Sequence, residues 1–77
     1  MSRYMTEAEI DEASEVGADS YEWSCEWRKV GQSIREHIID ELGFRPTDAQ
    51  VATAVRRAQI IWEARKMTVK RTIEGAA

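Results

Sequence analysis

Few side chains in this chain are equipped for covalent or acid–base chemistry. His37 is its single histidine and Cys25 its single cysteine. Glu36, Asp40 and Glu41 lie near His37, and Asp40, three positions on, is placed to hold its ring. A general base also needs a substrate pocket around it, and no motif supplies one. As a metal ligand, His37 lacks the Glu-x-x-His partner of helical metal sites, because Ile34 occupies that position. Cys25 reads as an inert thiol between Glu22 and Glu26. There is no glycine-rich phosphate loop, no Gly-x-Ser-x-Gly and no cysteine pair. The expectation is a protein that is not an enzyme, with no catalytic residue, no metal and no cofactor.

Function must then reside in surfaces, and the elements that present them read as helices. The 77 residues are 43% hydrophobic and 32% charged, with four glycines and one proline. That is the composition of a folded chain with few helix breakers. Thr6-Glu7-Ala8-Glu9 fits a capping box, with Met5 and Ile10 in the positions of a hydrophobic staple. Asp19-Ser20-Tyr21-Glu22 and Thr47-Asp48-Ala49-Gln50 fit the same box. Gly17 reads as the end of a short first helix. Gly43 sits just past Leu42, where a left-handed residue is wanted, and Pro46 blocks continuation. These signals predict helices over about 7–16, 20–42 and 48–74 in a single domain, 1–77. The expected fold is all-α, a short N-terminal helix plus a long antiparallel two-helix hairpin.

Periodicity supplies the core. Trp23, Trp27, Val30, Ile34, Ile38 and Leu42 recur every three or four residues, as do Val51, Val55, Ala58, Trp62, Val69 and Ile73, with Ala54 and Ile61 alongside. A domain of this size buries only about 60% of its unfolded surface, so oligomerisation is a natural aid to stability. Ile60, Ala64 and Met67 lie opposite the second stripe, in one row with Ala49 and Thr53. Tyr21 and Ile39 also lie off the main stripe. An uncovered apolar row marks an interface, so Ile39, Ile60, Ala64 and Met67 are the candidate contacts of a homodimer resembling a four-helix bundle. The competing expectations are that the first helix, through Ile10, Ala13 and Val16, folds over the row, or that another protein does.

Charge is divided along the chain. The first 42 residues carry eleven acids against four bases, and the remainder seven bases against three acids, for a net −3. Helices of opposite charge lying side by side would compensate one another. Alternatively, Glu7, Glu9, Asp11, Glu12, Glu15, Asp19, Glu22 and Glu26, with Tyr21, form an acidic face that docks on a basic partner. No apolar run approaches the roughly 18 residues of a membrane span, and the first residues lack the apolar centre of an export signal. With a lone thiol, the expected compartment is the cytoplasm, away from membranes.

Two resemblances bear on function. Gly43-Phe44-Arg45-Pro46-Thr47-Asp48-Ala49-Gln50-Val51 resembles the Gly-x-x-Pro-Thr helix start of winged helix-turn-helix repressors. It implies a small dimeric DNA-binding regulator, with Arg56, Arg57, Lys66 and Lys70 of the basic third helix on nucleic acid. In that family a further turn and a recognition helix follow within about a dozen residues, whereas here the helical pattern runs on to about Glu74. In size and charge the chain also resembles the class of small inhibitors that phages make against host defence or nucleic-acid-handling complexes. The leading expectation is therefore a protein-binding regulator or inhibitor, and the DNA-binding regulator is the alternative.

Overall fold

The computed structural model describes residues 3–76, with side chains described as far as Met67. Its elements are α1 (Glu7–Ser24), α2 (Trp27–His37), a π-helical turn (Ile38–Leu42) and α3 (Asp48–Ala76). The fold is all-helical, and no strand occurs among the described residues.

Helix α1 begins as its sequence dictates. The Glu9 N–H donates to Thr6 Oγ1 at 3.2 Å and the Thr6 N–H donates to Glu9 Oε1 at 2.9 Å. Two orphan donors of the first turn are thereby satisfied. Met5, preceding the cap, packs against the core.

The end of α1 corrects the expectation of a short first helix. Gly17 does not terminate it; α1 runs a further seven residues, to Ser24. A glycine inside a helix costs about 1 kcal/mol relative to alanine, and here close packing explains its presence. A Cβ on Gly17 would stand 2.7 Å from Ile34 Cδ1 and 3.1 Å from Ala58 Cβ. Gly17 therefore lets α1 approach α2 and α3 together. With Ala13, Ser14 and Ala18 it forms a fully buried face of small residues. The Ser14 hydroxyl donates back to the Ile10 carbonyl at 2.6 Å, so this polar group is buried without penalty.

The second expected capping box is also corrected. Asp19 is no N-cap but lies inside α1, and the Ser20 hydroxyl lies 2.8 Å from that of Ser33, joining α1 to α2. The real break is Cys25, in the left-handed region at φ 57°, whose N–H donates to the Tyr21 carbonyl at 2.8 Å. The Ser24 hydroxyl donates to the Ser20 carbonyl and accepts from the Glu26 N–H. Helix α2 thus starts at Trp27 rather than at residue 20. Trp23, expected in the core of the second helix, instead belongs to α1 and is 90% exposed.

The remaining signals hold. Gly43 is left-handed at φ 74°, and its N–H reaches the Ile38 and Ile39 carbonyls. The Thr47–Gln50 pair makes both reciprocal cap bonds, at 2.9 and 3.1 Å. Val30, Ile34 and Ile38 are fully buried against Ala54 and Ala58, with Val51 nearly so. Each of the three larger side chains contributes roughly 1.5–3 kcal/mol by leaving water. Trp27, Leu42, Val55 and Ile61 pack against this core. The side chains of Val69 and Ile73 lie outside the described residues.

Candidate interaction surfaces

Much of the acidic character of α1 is answered within the chain. Arg57 of α3 meets Glu7 at 2.8 Å and Asp11 at 2.7 Å, and Arg65 meets Asp19 at 2.8 Å. Positions rise together along α1 and α3, so the two helices run in the same direction where these pairs form. The Arg57 guanidinium is held above its ordinary value by its hydrogen bonds to Glu7 and then Asp11. Near the N-terminus, Arg3 grips Glu9 through two hydrogen bonds of 3.0 and 2.7 Å. The Arg3 hydrogen bond, followed by the one from the Thr6 backbone, lowers the Glu9 carboxyl from 4.5 to about 2. Arg3 also stands 4.5 Å above the Phe44 ring, and the Gln50 amide donates to its carbonyl. These contacts tie the N-terminal segment to the start of α3. Glu26 caps α2 without a side-chain bond and lies 3.7 Å from Lys29.

Glu12, Glu15 and Glu22 differ. All three are exposed, and among the described residues none forms an ion pair. At 100° per residue Glu12 and Trp23 lie opposite the buried Ala13, Ser14, Gly17 and Ala18, with Glu15 to one side and Glu22 on the flank next to Ala18. Trp23 places a nearly fully exposed indole near the end of this helix. The sequence placed Trp23 next to the acidic stretch but also in the core, because its spacing to Trp27 continued the core pattern of a helix assumed to run through Cys25.

Tyr21, expected on the acidic face, requires correction. It is half-buried, stacked on Trp27 with ring centroids 4.0 Å apart and planes at 10°. The Trp62 ring meets it edge-on at 5.0 Å. This cluster fastens α1, α2 and α3 together, so Tyr21 acts as packing.

The expected apolar row lies where it was placed. Ile60 is 69% and Met67 61% exposed on α3, with Ala64 also exposed between them. A groove there is lined by Arg56, Gln59, Ile60, Glu63, Ala64 and Met67. Helix α1 does not cover it; Ala13 is fully buried in the core, and Ile10 and Val16 are half-buried. Ile39 is 40% exposed in the π-helical turn, on a different element.

Of the expected nucleic-acid contacts, Arg57 is taken up by Glu7 and Asp11, Arg56 and Lys66 are exposed, and the Lys70 side chain lies outside the described residues. His37 is half-buried at the end of α2, and the serine one turn before it, Ser33, is bonded to Ser20. No three His, Cys, Asp or Glu side chains gather to hold a metal among the described residues. No described helix is long and apolar enough to cross a membrane.

Comparison with family models, curated proteins and solved structures finds no match to this chain.

Proposed function

We propose that this chain is a non-enzymatic protein-binding protein, a regulator or inhibitor acting in the cytoplasm, that docks through the outer face of α1. The observation that carries this reading is Trp23, 90% exposed near the end of a helix that also exposes Glu12, Glu15 and Glu22. Tryptophan is on average highly buried in folded proteins, and where it is presented on a surface it commonly anchors an interface. The carboxylates of that helix would steer a basic partner and raise the encounter rate. The partner is thus a protein with a basic surface and an apolar recess, such as one that handles nucleic acid. A phage-type inhibitor of a host complex fits this description.

The scaffold suits such a role. We read α2 and α3 as an antiparallel pair, supported by the 2.9 Å Arg35–Asp48 bridge and by the close approach of Gly31 to Val51. Helix α1 lies against both, so its outer face is held by a fixed inner one. The DNA-binding alternative is weakened because Arg57, one of its main contacts, already serves Glu7 and Asp11.

The test is capture of partners by the tagged native chain, with nuclease treatment in parallel. It is repeated with Trp23→Ala and with Glu12→Lys/Glu15→Lys. The expected result is a stoichiometric protein that resists nuclease and is lost with either variant, while helix content is unchanged. Undiminished capture by both variants, or recovery of nucleic acid alone, overturns the proposal.

A further inference from the structure

The outer face of α3 carries a second pattern, independent of the α1 reading. Ala49, Thr53, Arg56, Ile60, Glu63 and Met67 follow one another at steps of four and three residues. That is the seven-residue spacing of a helix seam that pairs with another helix. Five of the six are exposed and Thr53 is half-buried, so no helix of the chain itself occupies this seam. At 1.5 Å per residue the row is roughly 27 Å long.

Its charges identify the occupant. Arg56 and Glu63 are seven residues apart, too far to bridge one another along the helix, and neither forms an ion pair among the described residues. The point midway between them falls at Gln59–Ile60. A two-fold axis through that point makes the surface self-complementary. It sets Arg56 of one copy beside Glu63 of the other, and the reverse, and brings the two Ile60 side chains together at the centre. Ala64 keeps one flank small enough for close approach, and Met67 fills the ends. A parallel pairing would instead stack Arg56 on Arg56 and Glu63 on Glu63, which repels.

We propose that a second copy of this chain docks here, as an antiparallel α3–α3 homodimer ordered by two Arg56–Glu63 bridges around Ile60. A single helix pair covers less than the roughly 800 Å² per partner of a standard interface, so half-dissociation is expected on the order of 10–100 μM. Polar residues within such a seam fix orientation and register at the expense of affinity.

Sedimentation equilibrium of the intact chain over this concentration range tests the proposal. The mass is expected to rise from 8.8 kDa toward twice that value. Ile60→Glu, Arg56→Glu and Glu63→Arg are each expected to weaken association at least tenfold. Arg56→Glu/Glu63→Arg together should restore it, because the exchanged pair is again complementary. Circular dichroism of each variant confirms that the helices persist. A chain that stays at its monomer mass, or a dimer indifferent to Ile60→Glu, overturns the proposal. So does a double exchange that restores nothing.

Discussion

A Cβ added to Gly17 would stand 2.7 Å from Ile34 Cδ1, closer than packed side chains tolerate. Ile34 is fully buried, so its Cδ1 can give way only by shifting within the core. The contact joins α1 to α2, with Ala58 of α3 closing the other side. Gly17→Ala gains about 1 kcal/mol of helix propensity but overpacks a filled site, which costs typically 1–3 kcal/mol. The expected outcome in urea denaturation is a net loss of about 1 kcal/mol, larger for Gly17→Val. Ile34→Val removes Cδ1, so Gly17→Ala should be less harmful in that background. Stabilisation by Gly17→Ala alone would show that the helices are not this close.

Trp23 and Trp27 lie four residues apart in sequence yet in opposite environments, and their substitutions should separate cleanly. Trp27→Ala removes the Tyr21 stack and half-buried apolar area. It should lower stability by roughly 2–3 kcal/mol, below the 3–5 kcal/mol typical of a fully buried tryptophan. Trp23→Ala should leave stability within about 0.5 kcal/mol. Iodide quenching of fluorescence checks the assignment, because Trp23→Phe should remove the most accessible emission. Equal stability losses for the two alanine variants would contradict it.

This contrast also marks where the sequence was legible. The Thr6–Glu9 and Thr47–Gln50 boxes and the Gly43 stop are local chemistry, each fixed by side chains within a few residues, and they read correctly. So did Val30, Ile34 and Ile38, and Val51 and Ala58 of the third helix, which depend only on helical period, although Ala54, expected on the flank, is fully buried and Val55 only half so. Gly17 and Cys25 did not. Gly17 resembles a stop, but its role is set by Ile34 and Ala58, far along the chain. Cys25 carries no turn signature; its left-handed backbone follows from α1 and α2 having to fold back where Tyr21, Trp27 and Trp62 meet. The π-helical turn at Ile38–Leu42 likewise left no local mark. Misplacing that one turn moved Trp23 from the surface into the core and Tyr21 from the core to the surface. The exposure of Ile60, Ala64 and Met67 was legible because it needed only the face of a single helix.

Glu9 should titrate far from the ordinary carboxylate range. With its hydrogen bonds from Arg3 and Thr6 it is lowered from 4.5 to about 2. A carboxyl depressed on folding contributes stability in full above its unfolded value, and loses it as pH falls through the folded one. The loss attributable to Glu9 therefore lies between about pH 4.5 and pH 2. Carbon-detected NMR titration of the side-chain carboxyl should give a midpoint near the lower end, moving upward in Arg3→Ala. A midpoint in the usual range in the native chain would show that Arg3 does not hold it.

Arg57 should behave as a shared partner of Glu7 and Asp11. Arg57→Ala is expected to lower Tm by a few degrees at most, because exposed pairs are screened by solvent, and the effect should shrink in 1 M salt. Asp11→Ala made on top of Arg57→Ala should then have less effect than in the native chain. Full additivity of the two substitutions would place Arg57 away from α1.

The most direct test of docking through α1 is fluorine NMR of the chain carrying 5-fluorotryptophan at its three tryptophans, titrated with the captured partner. Trp23→Phe assigns the exposed resonance. The expected result is a shift or broadening of Trp23 on adding the protein partner, with Trp27 and Trp62 little changed and no response to duplex DNA. A Trp23 resonance that stays unmoved in the saturated complex would contradict docking through this face.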